Sequence, residues 1–496
     1  MGTELRYEVK PVQHYIDGEF CDSISGKTFK TVNPTTNEVI TTAAEGFSED
    51  IDKAVRAANR AFREGPWAEM KTKDRAELMR TIAAGIESNS EELSYLETLD
   101  TGLPISQTKG QAARAAANFR FFAEMISRMT GESFPVDDTF LNYTTMKPVG
   151  VAGLITPWNT PLMLASWKIA PCLATGNTAV LKPAEWSPLT AAKLASILDA
   201  AGVPKGVFNV VQGYGETAGA ALVAHEDVKL ISFTGETTTG KEIMRNGADT
   251  LKRFSMELGG KSPVVVFADA DLDRAVDAVV FGIYSLNGER CTAGSRLLVE
   301  RSIKDEFERR LQERVEKIKI GDPFHPDTEV GALIHKDHYD RVTNYIQIGQ
   351  KEGARVLAGG SRPRDMSQGN FLSPTLFVDV TNDMRIAQEE IFGPVLVSIP
   401  FDSEEEAVKL ANDVNYGLAS YVWTTDLTRA HRVSQQIEAG MVWINSQNVR
   451  DLRTPFGGAK MSGIGREGGH YSFEFYTEQK TIHLAMGEHH IPQFGK

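Results

Sequence analysis

From Gly150 onward the chain repeats one pattern: a short apolar run, a turn, then a helical stretch. The runs cover residues 151–156, 178–182, 207–211 and 230–233, and helices are predicted after each, the first passing through Lys168 and the second through Ala200. Such alternation predicts parallel strands with helices packed on both faces of the sheet. The fold class is therefore α/β. In sheets of this kind ligands sit beyond the carboxyl ends of the strands. That directs attention to Pro157-Trp158-Asn159, Pro183-Ala184-Glu185, Gly213-Tyr214-Gly215 and Thr234-Gly235-Glu236.

A second strand–helix series begins with a strand at 263–267 and a helix capped by the Asp269–Asp273 stretch and running through Gly282. Further strands are predicted at 296–300, 376–380, 395–400, 421–424 and 442–445, with helices at 303–319 and 404–412. Before Gly150 the chain reads differently. Asp17-Gly18 between apolar flanks predicts a type I′ hairpin, and Ser48 is placed to cap a helix. Helices follow at 74–87, 90–98 and 111–129, then an extended segment at 142–149. A chain of 496 residues exceeds one ordinary core, so two or three domains are expected.

Two glycine-rich turns invite comparison with dinucleotide fingerprints. Gly213 to Gly219 has the wrong spacing for that fingerprint. Residues 233–240 follow a strand and open a helix, whose N–H groups suit a phosphate. Each reads equally well as a tight strand-to-helix turn.

Composition closes off several classes of function. The formal charge of −13, with no basic cluster, argues against nucleic-acid or anionic-membrane partners. The amino-terminal decapeptide lacks the apolar core of a leader, and the apolar runs fall short of the roughly 18 residues that cross a bilayer. Cys21, Cys172 and Cys291 form no disulfide framework, which points to the reducing cytoplasm. His335 with His338, and His489 with His490, have no companion ligands at zinc spacing; they read as surface histidines, and no metal is expected.

Cys291 lies in a decapeptide, residues 287–296, between Glu289-Arg290 and a run of small residues. A thiol reacts as its thiolate, which a nearby cation or free backbone N–H groups favour. Small neighbours leave room for a substrate carbon. Taken alone, the same decapeptide suits an inert buried cysteine. Upstream, Met256-Glu257-Leu-Gly-Gly-Lys-Ser-Pro supplies a carboxylate beside a glycine pair, as general base or as the partner of a neighbouring cation.

Taken in order, Pro157-Trp158-Asn159, the Lys182–Glu185 stretch, Phe233-Thr234-Gly235, the Glu257 motif, the Cys291 decapeptide, residues 389–394 and residues 455–458 resemble the aldehyde dehydrogenase family. Residues 101–105, 135–143 and 445–453 further resemble its 5-carboxymethyl-2-hydroxymuconate-semialdehyde dehydrogenases. The resemblance implies a Rossmann-like NAD-binding domain over 1–130 and 149–256, an α/β catalytic domain over 257–455, and a small β oligomerisation element over 131–148 and 469–486 serving a homodimer or homotetramer. It implies oxidation of a small aldehyde to a carboxylic acid with NAD.

By that resemblance Cys291 is the nucleophile, Glu257 the base, and Asn159 an oxyanion donor together with the Cys291 N–H; Lys168 and Glu467 match a secondary proton relay, and a plain salt bridge serves them equally well. Lys182 and Glu185 match the pair at the adenosine ribose, where a carboxylate favours NAD over its 2′-phosphorylated form. Thr156, Trp158, Gly215 and Gly235 join the cofactor set, with Glu390 at the nicotinamide ribose and Phe392 by the ring. Arg450 and Arg453, in a loop before Phe456, would suit a substrate carboxylate, with Trp167 and Phe456 lining the pocket; surface pairing with Asp451 is the alternative. Arg120 and Arg290 are further cations. Two positions depart from the family: Glu236, where Ser is usual, is expected to face solvent, and Thr160 replaces an aromatic and opens the pocket. Relatives that pass the acyl group to coenzyme A generally lack a base such as Glu257, and an inactive structural descendant would not need Asn159, Glu257 and Cys291 together.

Overall fold

Every side chain of Val151–Ile155 is buried, and the strand divides its residues between two cores. Ala152 and Leu154 pack with the helices Thr72–Ser88, Ile105–Met125, Pro161–Ala174 and Leu189–Ala200. Val151 and Ile155 pack on the opposite face with Ser48–Arg63 and with residues around Ala218–Val223. Alternation of side chains along a strand covered on both faces requires such a continuous apolar run.

The computed structural model describes residues 6–496. The first five residues, part of the expected cofactor domain and of the stretch read as lacking a leader, lie outside the described residues. An eight-stranded sheet runs in the order Glu19–Cys21, His14–Ile16, Phe208–Val210, Thr178–Lys182, Val151–Ile155, Val228–Thr234, Arg253–Glu257, Gly463–Ile464. Its middle five strands are parallel, and the amino-terminal hairpin and Gly463–Ile464 pair antiparallel at either side. A seven-stranded sheet has the order Arg355–Ala358, Thr375–Val378, Val395–Phe401, Arg296–Glu300, Pro263–Val266, Ala419–Trp423, Met441–Ile444. It too is parallel apart from its first strand. Val264 and Val266 face one core and Val265 the other.

The chain passes from the first sheet to the second through one short passage. Arg253–Glu257 ends the first sheet's parallel run, and Pro263–Val266 enters the second. Residues 258–262 cross between them, so Glu257 stands at the seam. A third sheet, Thr477–Ala485, Phe140–Pro148, Ser133–Asp137, is antiparallel. It combines the segment near residue 140 with the carboxyl-terminal segment and exposes Phe134, Val136, Leu141 and Leu484.

Several elements differ from expectation. Ser48 is the first helical residue and donates to Glu49, while Asp50 accepts the Phe47 N–H instead. The helix expected from 111 begins at Ile105. Arg253–Glu257 was not predicted as a strand, because its polar residues mask the pairing that Val228–Thr234 imposes. Lys336–Lys351, a helix with a mixed polar sequence, was likewise missed.

Candidate active site

Three cavities run end to end along the seam between the sheets. The first, about 450 Å³, is lined by Thr156, Lys182, Glu185, Gly215 and Gly235. It shares Trp158, Thr234, Gly235 and Glu236 with a second of about 320 Å³, which Glu390, Phe392 and His338 also line. That cavity shares Asn159, Glu257 and Cys291 with a third of about 510 Å³, lined further by Trp167, Phe456, Glu467 and Arg450. Cys291, Glu257 and Asn159 thus stand where two approaches meet. The strand ends place them: Ile155 registers with Lys182 and with Phe233, and Thr234 with Glu257. The loop after each strand opens into the channel, as parallel sheets direct.

Cys291 is held by backbone packing. A Cβ on Gly260 would lie 2.5 Å from the Cys291 carbonyl oxygen, so the glycine lets the two loops touch. The Asn159 amide donates to the Glu289 carbonyl at 2.8 Å. One of its two protons therefore ties it to the cysteine loop and the other is left for a ligand. It does not cap the following helix, which starts after Thr160 with no side-chain cap. Burial and the carboxylate of Glu257 push the Cys291 thiol up to about 11; Arg450 and Arg290 act in the opposite sense. The nearby cations were expected to favour the thiolate. They are outweighed, and the resting group is a thiol.

Glu257 is 4% exposed, and neither carboxylate oxygen has a hydrogen-bond partner among the described residues. Burial, then the charge of Glu467, raises its affinity for a proton well above that of an ordinary carboxylate. Gly457 backs onto it: a Cβ there would come within 2.8 Å of the Glu257 Oε1. Lys168 Nζ lies 2.9 Å from Glu467 Oε1 and 2.9 Å from Ser232 Oγ, all buried. Glu467 also faces the third cavity beside Glu257, so the pair adjoins the reactive groups.

Along the other arm, Lys182 Nζ bonds Glu185 Oε2 at 2.9 Å. Thr156 Oγ1 and Thr234 Oγ1 are buried without partners among the described residues, as polar atoms awaiting a ligand would be. Glu390 Oε1 accepts from the Gly260 N–H at 2.8 Å, and burial raises the Glu390 carboxyl to about 7. The Phe392 ring meets Trp158 edge-on at 5.3 Å. Lys182 and Glu185 thus offer a charged pair at one end of this arm, and Phe392 with Trp158 an aromatic wall toward Cys291.

The third cavity separates the two predicted arginines. Arg450 lies over Phe456 at 3.8 Å and near Trp167 at 5.7 Å, with its Nε buried and unpartnered among the described residues. Arg453 points away: it is exposed and held bidentately by Asp451. Arg120 also faces outward, paired with Glu87. Arg290 lines the cavity, and so does Arg114, which sequence reading passed over inside a helix. Thr160 is buried in the same wall.

One pair of expected surface residues lies elsewhere: His338 is buried and His335 is partly buried. The helix Lys336–Lys351 packs them into the cofactor arm, where His335 stacks on Trp186 at 3.9 Å and His338 Nε2 meets the Phe392 carbonyl at 2.7 Å. Burial lowers His338 to about 3, so it stays neutral. Glu236 is exposed, as expected, with its carboxylate 3.4 Å from Arg341 at the cavity mouth.

The model of the aldehyde dehydrogenase family matches residues 20–482. The chain belongs to the aldehyde dehydrogenase family. Among its relatives in that family, the 5-carboxymethyl-2-hydroxymuconate semialdehyde dehydrogenase of Escherichia coli is 53% identical over 94% of this chain and 99% of its own. The crystal structure of HpcC from Thermus thermophilus superposes with a TM-score of 0.96 at 56% identity, covering 98% of this chain and 95% of that one. An NAD+ complex of an aldehyde dehydrogenase from Bacillus cereus superposes at 0.95 with 45% identity, over 96% of this chain and 97% of that one. The aldehyde dehydrogenase fold accounts for all three sheets described above.

Proposed function

We propose that this chain oxidises an aldehyde to a carboxylate with NAD, and that its substrate is 5-carboxymethyl-2-hydroxymuconate semialdehyde. The observation that carries the reading is the channel itself. A nucleotide-shaped arm and a cation-lined arm meet at Cys291, Glu257 and Asn159. The similarity to the E. coli semialdehyde dehydrogenase supports the substrate, and the Bacillus cereus complex supports the cofactor.

An aldehyde does not release hydride readily, since an acylium ion would remain. Attack of Cys291 Sγ on the carbonyl carbon forms a C–S bond and moves the carbonyl π pair onto oxygen. The free proton of the Asn159 amide and the Cys291 N–H meet that oxyanion. Glu257 takes the thiol proton, its unpartnered oxygens being open to it, and gives it up through Glu467 and Lys168 before hydrolysis begins. Bound NAD supplies the acceptor for the hydride. The thioester left on Cys291 is hydrolysed by a water whose proton Glu257 accepts, and the tetrahedral adduct collapses to carboxylate and cysteine. Glu467 and Lys168 pass that proton outward. Glu185, paired with Lys182, accepts from a ribose 2′-hydroxyl and repels a 2′-phosphate, which selects NAD. Thr156, Trp158, Gly215, Gly235, Glu390 and Phe392 line the rest of that arm.

Arg450, set against Trp167 and Phe456, takes the carboxylate at the far end of the substrate chain. Arg114 stands in the same field, its charge bearing on Arg450. The three-stranded sheet, with its exposed apolar side chains, suits pairing into a homodimer or homotetramer. Three free cysteines suit the cytoplasm. The test is NADH formation from 5-carboxymethyl-2-hydroxymuconate semialdehyde, succinic semialdehyde and an uncharged aliphatic aldehyde, with Cys291→Ala as control. A clear preference for the first upholds the reading; equal use of the uncharged aldehyde overturns the substrate.

A further inference from the structure

His338 has no part in the reaction as described, yet it is 5% exposed and lines the second cavity from the helix Lys336–Lys351. Its Nε2 lies 2.7 Å from the Phe392 carbonyl oxygen. A carbonyl only accepts, so the imidazole is the Nε2–H tautomer and donates. Burial, then His335, keeps the ring uncharged. Phe392 has a φ of 59°, a left-handed backbone that a bulky residue keeps only where its surroundings hold it. The helix supplies that hold at three points. Besides the His338 bond, Arg341 Nη2 donates to the Glu390 carbonyl at 3.2 Å. Val342 packs so closely that a Cβ on Gly393 would lie 2.8 Å from its Cγ2. Residues 338, 341 and 342 stand on one face of the helix and grip residues 392, 390 and 393. Trp158 meets both rings edge-on, His338 at 5.1 Å and Phe392 at 5.3 Å. Glu289, whose carbonyl receives the Asn159 amide, brings Oε1 within 3.6 Å of the same imidazole nitrogen.

Glu390 and Phe392 are the residues assigned above to the nicotinamide end of the cofactor, and the inference rests on that reading. We propose that His338 is a positioning residue for that end: its Nε2–H holds Phe392 in the left-handed conformation and so fixes the wall against which the ring stands. The bond acts through the backbone, on placement of the ring rather than on attachment of the cofactor. Lys182 and Glu185 pair at 2.9 Å in the far arm, in a cavity that His338 does not line. Without the donor Phe392 relaxes toward negative φ and its ring moves with it. Transfer between two carbons depends steeply on such placement, and a shift of about 1 Å costs on the order of 10²-fold.

The experiment compares wild type with His338→Leu, which fills the space without a donor, and His338→Gln, whose amide N–H can reach the same carbonyl. Thermal melting checks folding. Calorimetry gives the Kd of ADP, which carries the adenosine end alone. The fluorescence lifetime of bound NADH, which lengthens when the reduced ring is held, reads the other end without turnover. Stopped flow at saturating NAD gives the rate of the first turnover. In His338→Leu the NADH lifetime shortens toward that of the free cofactor and the first turnover slows by about 10- to 100-fold. The Kd of ADP stays within about twofold, and His338→Gln recovers most of both losses. An unchanged lifetime and rate in His338→Leu overturns the proposal. So does a loss of ADP affinity alongside them, which marks general damage to the arm, and so does a Gln variant no better than Leu. If His338→Leu does not fold, His338→Asn, whose shorter amide falls short of the carbonyl, is judged by the same readings. A wild-type NADH lifetime equal to that of free NADH defeats the assignment of Glu390 and Phe392 to the ring, a result visible before any variant is made.

Discussion

The side-chain amide of Asn159 donates to the backbone carbonyl of Glu289 across 2.8 Å, joining the loop after the first parallel strand to the loop that carries Cys291. The residues are 130 apart in sequence. The bond ties the amide to the cysteine loop and leaves its second proton free, which in the proposed reaction meets the oxyanion. Replacing Asn159 by Ala removes this donor, and loss of one such donor costs about 10²–10³ in kcat. Steady-state kinetics on the preferred aldehyde measure it; a KM effect with unchanged kcat would remove Asn159 from the transition state.

Glu257→Gln takes the base from acylation and, more severely, from hydrolysis, so the thioester accumulates. Stopped flow should show a slowed first turnover of reduced cofactor that reaches about one per site, then steady turnover slower by about 10²–10⁴. Intact-protein mass spectrometry of the quenched enzyme should find the acyl group on Cys291. A variant with full steady-state turnover would assign the hydrolytic base elsewhere.

Burial, then the Glu257 charge, pushes the Cys291 thiol up to about 11. Only its thiolate is alkylated, so inactivation by iodoacetamide should rise about tenfold per pH unit from 7 to 10. The slope is positive because raising pH ionises the group. A rate already flat by pH 8 would mean that the thiolate is far better stabilised than its buried surroundings imply.

Lys168 and Glu467 are both buried and 2.9 Å apart. Removing one partner strands the other's charge, at about 3–5 kcal/mol. Lys168→Met should therefore melt well below wild type, and Lys168→Met with Glu467→Leu should regain much of the loss. A stable single variant with lowered kcat would instead separate a proton-relay role from a structural one.

Much of the scaffold is legible because its signals are local. The apolar run at Val151–Ile155 is buried on both faces as its composition requires, and Asp17-Gly18 turns between His14–Ile16 and Glu19–Cys21 with both residues at positive φ. Arg253–Glu257 escaped notice because a strand with Arg, Ser and Glu has no periodic signature; it exists because Val228–Thr234 offers its edge. His335 and His338 looked like surface residues for the same reason, since only their packing against Trp158 and Trp186 buries His338 and partly covers His335.

The sequence alone carried the family, through the order of its motifs, and by that resemblance pointed to Cys291, Glu257 and Asn159 as a set, because each motif is a short local run of residues. Tertiary structure decided which cations serve the cavity. Arg450 turns in and Arg453 turns out to Asp451, while Arg114 and Arg290 arrive from a helix and from the cysteine loop. It also decided the state of the nucleophile. Flanking charges in the sequence favour a thiolate, but desolvation inside the seam between two sheets is a property of the assembled chain and outweighs them.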